Sequence, residues 1–127
     1  MKRTALLHAE LSGLVASMGH GDLIVVGDAG LPVPAGVRCI DLAVTRGVPT
    51  AMQVLDTLLS ELVVERSCLA QEAAPDLVAA FKARDIGEIS FTSHDDFKRG
   101  TAQARAVIRT GECTPYANIC LWAGVAF

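Results

Sequence analysis

No run of basic residues occurs anywhere in the 127-residue chain, and charge of either sign is scarce. Charged residues make up 20%, the net charge is -3 and the isoelectric point is near 5.5. Nucleic-acid binding therefore lacks its electrostatic footprint. Low hydrophobicity with high net charge, the signature of disorder, is also missing. Long apolar runs are absent too. The longest late uncharged stretch, Cys113 to Phe127, is broken by Pro115, Asn118 and Gly124. A spanning helix needs roughly 20 apolar residues, so no membrane role is expected. His8 and Glu10 interrupt the apolar run that a signal peptide requires, which points to a soluble, cytoplasmic protein. The four cysteines (39, 68, 113 and 120) form no C-x-x-C pair, which leaves zinc and thioredoxin-like readings weak. Cys39, Cys68 and Cys120 lie in apolar segments and read as small buried hydrophobes without disulfides. G-x-G-x-x-G, Walker, H-E-x-x-H and G-x-S-x-G motifs are all missing, and His8, His20 and His94 are too scattered to suggest a metal site.

What is present is apolar sequence in short, alternating blocks. Hydrophobic residues make up 51% and mean hydropathy is +0.40, enough to predict one domain over 1–127 with surface left over for subunit contacts. Leu6, Leu7, Leu11, Leu14, Val15 and Met18 recur at helical spacing, and Gly19 ends that helix. Leu23 to Val26 is a continuous β-branched run of the kind found in buried strands. Further strands are expected at 37–42, 63–69, 86–92, 106–109 and 119–125. Helices are expected at 49–62, at 75–84 with Pro75 in its first turn, and from Ser93 to about Arg99. Strands alternating with helices predict an α/β layered fold.

Four places carry candidate chemistry. His20 stands in Gly19-His20-Gly21-Asp22, between the first helix and first strand. Its imidazole is either a proton donor and acceptor near neutral pH or a plain loop histidine. Asp28 directly follows the first strand, where α/β sheets gather ligands; it either accepts hydrogen bonds from hydroxyls or closes an Asx-turn. His94 precedes Asp95 and Asp96 and is either a ligand or a first-turn residue among acids that suit the helix dipole. The segment 109–118 (RTGECTPYAN) is polar between two apolar strands, which suits a polyhydroxylated ligand. Tyr116 offers a ring face and a hydroxyl, and Asn118 a donor and an acceptor. The alternative for this segment is a tight turn closed by an Arg109–Glu112 pair.

Taken in series, these segments resemble the D-ribose pyranase (RbsD) family. The resemblance rests on Gly19-His20-Gly21-Asp22, on Asp28-Ala29-Gly30-Leu31-Pro32-Val33-Pro34, and on Asp41-Leu42-Ala43 with Gly47-Val48-Pro49. It continues through Ser93-His94-Asp95-Asp96-Phe97-Lys98 and residues 106–118 to Ala123-Gly124-Val125-Ala126-Phe127, and so covers the whole chain in order. The stretch between Glu65 and Ile86 looks shorter than in many members and lies outside these motifs. The related L-fucose mutarotases share the histidine loop and a Tyr-x-Asn element but lack the Gly-Leu-Pro-x-Pro loop.

The resemblance implies a three-layer α/β/α sandwich with a mixed sheet, assembled as a homo-oligomeric ring of five or ten copies. It implies a cofactor-free, metal-free isomerase that interconverts the β-pyranose and β-furanose forms of D-ribose. Carried over by residue, His20 matches the proton donor, and Asp28, His94, Tyr116, Ala117 and Asn118 match the sugar-binding positions. In that scheme Asp28 orients either His20 or a sugar hydroxyl. Another aldose such as L-fucose, or ribose binding without catalysis, are the competing expectations.

Overall fold

The computed structural model describes every residue, Met1–Phe127. In chain order the elements are α1 (Ala9–Ser17), β1 (Leu23–Gly27), β2 (Arg38–Asp41), α2 (Ala51–Leu59), β3 (Val64–Ala70), α3 (Pro75–Lys82), β4 (Glu88–Thr92), α4 (His94–Gly100), β5 (Ala106–Arg109) and β6 (Ile119–Ala123). The helix starts follow from local chemistry. His8 Nδ1 accepts from the Leu11 N–H and so begins α1 at Ala9, three residues later than the apolar stripe suggests. Leu6 is buried all the same, outside any helix or strand. Thr50 and Gln53 form a reciprocal capping box at α2, and Pro75 occupies the first turn of α3. Ser93 Oγ accepts from the Asp96 N–H at α4.

The six strands form one sheet in the order β2-β5-β1-β6-β3-β4. Five are mutually parallel, and β6 runs antiparallel to both neighbours, β1 and β3. Every residue of β1 is buried, which is why it reads as an unbroken apolar run. Alternation along it divides the core. Ile24 and Val26 face α1, α2 and α3 with Leu55, Leu58 and Phe81. Leu23 and Val25 face the other way, with Phe97 of α4, Leu31, Cys68 and Cys120. The result is the expected three-layer α/β/α arrangement around a mixed sheet. Cys39 departs from expectation: it is exposed, because β2 is an edge strand and only Ile40 of that strand turns into the core. All four cysteines are free.

The reversed strand decides which loops meet. Ile119, at the start of β6, pairs with Val26 near the end of β1 and with Leu69 near the end of β3. One edge of the sheet therefore collects Asp28, the 109–118 loop and the start of α4. The opposite edge collects the start of β1, the start of β3 and the end of β6. No helix is long and apolar enough to cross a membrane.

Candidate active site

At the first edge, Asp28 and Asn118 lock together across ninety residues of sequence. The Asp28 N–H donates to Asn118 Oδ1 at 2.8 Å, and Asn118 Nδ2 donates back to Asp28 Oδ2 at 2.9 Å. Because a backbone N–H can only donate, this pairing orients the Asn118 amide. Asn118 is fully buried. The Gly30 N–H donates to Asp28 Oδ1 at 2.9 Å, so the Asx-turn is real and coexists with the side-chain pair. A carboxylate oxygen has about two acceptor positions. Each Asp28 oxygen uses one within the chain and has one left over.

Tyr116 lies beside this pair with φ +64°, a left-handed backbone that non-glycine residues rarely adopt. The Asn118 N–H donates to its carbonyl at 2.7 Å and holds that turn. Its ring meets the His94 ring edge-on, with centroids 5.0 Å apart and planes at 79°. His94 is fixed from both sides. Its N–H donates to both Glu72 carboxylate oxygens, and its ring stacks on Phe97, the one buried residue of α4. His94 Nδ1 is buried without a partner, a condition that favours a hydrogen-bonding ligand. Ala117 is buried, with its N–H on the Thr114 carbonyl.

The loop carrying Tyr116 and Asn118 hangs on Glu112. Burial disfavours the Glu112 carboxylate, but donors from Thr114, Ala51 and Cys113 outweigh it and hold its pKa below the ordinary value. The Arg109–Glu112 pair of the alternative reading does not form. Arg109 reaches Asp41 across the paired strands β5 and β2, at 3.1 Å, while Glu112 is consumed by the N–H groups of Cys113 and Thr114 in the loop and of Ala51 at the start of α2.

His20 is elsewhere. Gly21 takes φ +82° to make the turn, and the Gly21 N–H is tied to the Ala123 carbonyl at 2.8 Å. Asp22 accepts from the Gly19 N–H and from Arg105; these two contacts, in that order, hold its carboxyl below the usual range. The turn thus belongs to the second edge, at the start of β1. Five strand residues at roughly 3.3 Å each separate it from Asp28, about 17 Å. Asp28 does not orient His20 of its own chain. The His20 partner is Glu65, whose Oε2 meets His20 Nε2. Sequence reasoning missed Glu65; its one visible signal is a carboxylate interrupting the apolar run Val63 to Leu69.

The chain has two concavities. The larger, about 470 Å³, lies between α1 and α2 and contains no candidate residue. The other, about 430 Å³, is lined by Val15, Met18, His20, Val63, Gly124 and Phe127. Neither includes Asp28, His94, Tyr116 or Asn118. No three His, Cys, Asp or Glu side chains converge as a cation site.

A family model described as the RbsD / FucU transport protein family matches residues 1–126. The D-ribose pyranases of Variovorax paradoxus and Pseudomonas fluorescens are 56% and 54% identical to this chain, each aligned over 100% of both sequences. The structure of Bacillus subtilis RbsD complexed with D-ribose superposes with a TM-score of 0.94 at 41% identity, covering 100% of both chains. The fucose mutarotase of Streptococcus pneumoniae shares the fold, with a TM-score of 0.84 at 24% identity over 100% of both chains. A family model matched over nearly the whole chain, with relatives more than half identical along its full length, places this protein in the RbsD / FucU family.

Proposed function

We propose that this chain is a D-ribose pyranase, acting as one domain over 1–127 in the cytoplasm. It opens the β-pyranose ring of D-ribose and recloses it as the β-furanose. The pyranose closes through O5 and the furanose through O4. In opening, a base removes the proton of the anomeric hydroxyl, whose electrons form the aldehyde C=O as the C1–O5 bond breaks. His20 donates a proton to the departing O5. In closure, O4 attacks C1, gives up its proton, and the aldehyde oxygen is reprotonated. Nothing is oxidised or reduced. Each positioned proton transfer is worth about 10²- to 10⁴-fold. Asp28 accepts sugar hydroxyls through its free lone pairs, the buried Asn118 amide holds that carboxylate in place, His94 Nδ1 takes another hydroxyl, and Tyr116 covers the ring. The base is Asp28 or a water it holds.

The observation that carries this reading is the Asp28–Asn118 lock, with open acceptor positions, beside the unpartnered His94 Nδ1. With His20 and Asp28 acting on one sugar, the separation of about 17 Å along β1 supports a site completed by a second copy. A pentose cannot bridge it, so His20 acts on sugar held by a neighbouring subunit. Contact between unlike edges is heterologous, and such contacts form a ring when the rotation between copies closes. A homo-oligomer of five or ten copies fits that symmetry, and exposed Val63, Val125 and Phe127 beside His20 supply apolar contact area.

Saturation-transfer NMR between the pyranose and furanose signals of D-ribose tests the assignment. Wild-type protein should accelerate exchange. His20→Ala should lower the rate by about 100-fold or more while ribose affinity stays close to wild type. Loss of affinity in step with rate would mark His20 as a binding group instead.

A further inference from the structure

Glu65 has no role in the catalytic scheme above, yet the fold places it with care. It sits at the register shift between β3 and β6, where Val64 pairs with Ala123 and Arg66 with Trp122. Two residues on one strand thus advance the pairing by one on the other, which is a β-bulge with Glu65 as the extra residue. The parity of β3 shows what the bulge does. Leu69 faces the core with Ile119, and Ser67 pairs with Leu121 on that same face. Continued alternation would turn residue 65 into that core as well. The bulge substitutes Val64, which joins the core, and leaves Glu65 at the rim.

The backbone there is wedged. Gly87 has φ +66°, and a Cβ on it would lie 2.2 Å from the Glu65 carbonyl oxygen. No other residue permits that approach. The imidazole that meets Glu65 is held just as firmly by the turn at Gly21 and its bond to Ala123. Two anchored backbones therefore present Nε2 of His20 to a carboxylate, although both side chains stay half exposed, at 60% and 51%. Exposed ion pairs contribute little stability, so the arrangement has small structural return.

We infer that Glu65 is a positioning residue for His20: through the bulge-presented contact it holds the Nε2 proton, so that Nδ1 is the nitrogen that exchanges protons with the sugar. An ionised carboxylate only accepts, which requires His20 to donate from Nε2. In neutral His20 the Nδ1 lone pair is then bare and ready to take a proton; in the imidazolium, Nδ1–H is the donor. The second nitrogen's partner sets the tautomer, as in other histidine–carboxylate pairs. The inference rests on His20 being the proton donor of the proposed reaction.

Long-range ¹H–¹⁵N correlation spectra of the whole oligomer read the tautomer without reference to activity. Neutral wild-type His20 should carry its proton on Nε2, and Glu65→Gln should give a mixture. In the exchange assay, Glu65→Gln should lower the rate at saturating ribose by about 10- to 100-fold at unchanged ribose affinity, and Glu65→Asp should restore part of it. A wild-type Nδ1–H tautomer would overturn the inference. So would a Glu65→Gln protein with wild-type rate where His20→Ala is inactive. If His20→Ala itself leaves the rate intact, the catalytic reading fails, and the tautomer spectrum still decides whether Glu65 fixes the ring.

Discussion

Asn118 shows how much a single buried amide can organise. It has no exposed surface, accepts the Asp28 N–H, and donates to the Asp28 carboxylate. Alanine at this position would strand the Asp28 N–H inside the protein and free its carboxylate to rotate. An orphaned buried donor costs about 1–3 kcal/mol. Asn118→Ala should therefore lower the urea midpoint by a corresponding amount and abolish ribose-dependent shifts in the NMR spectrum. Retained ribose binding at lowered stability would reduce Asn118 to a structural role. The cysteines show environment deciding chemistry in the opposite sense. Burial, aided by the neighbouring Cys68, pushes the Cys120 thiol up to about 12, which makes it inert at neutral pH.

At the scale of elements, the loop between β5 and β6 is a small electrostatic device. The donors gathered on Glu112 depress its pKa below the ordinary 4.5 despite partial burial. A group with a lowered folded-state pKa adds stability that is fully present above the unfolded value. That stability is lost as pH falls through the folded value. The loop should therefore weaken in acid. Urea midpoints followed downward from about pH 5 should fall more steeply for wild type than for Glu112→Gln, which has no proton to take up there. Parallel curves would show that Glu112 is not a source of the loop's order. This device is only half legible in the sequence. The polar density of residues 109–118 marks the segment, but it leaves the partners of Arg109 and Glu112 open. Strand pairing gives Arg109 to Asp41, and backbone donors claim Glu112. The strands themselves are plain because β1, β5 and β6 are apolar on both faces. Glu65 is hidden for a related reason: a bulge changes side-chain parity, and periodicity cannot show where parity changes.

For the whole molecule, the important fact lies in the order of residues along the chain: His20 precedes a buried strand and Asp28 follows it. A strand separates its ends by its length, so one chain cannot bring both to one small sugar. The proposed shared site makes this a matter of subunit mixing. His20→Ala retains an intact Asp28 edge, and Asn118→Ala retains an intact His20 edge. Each alone should form only defective interfaces. In randomly mixed heterologous rings, about one interface in four joins an intact His20 edge to an intact Asp28 edge. Equal mixtures, refolded or co-expressed, should thus recover about a quarter of wild-type exchange, whereas mixing the assembled proteins without subunit exchange should recover none. Wild-type protein diluted with the doubly substituted chain should also keep working interfaces at one in four, which calibrates the assay. A mixture no more active than its parents, in rings shown by mass spectrometry to be hybrid, would place His20 and Asp28 in separate functions and leave the β1 separation without a catalytic meaning.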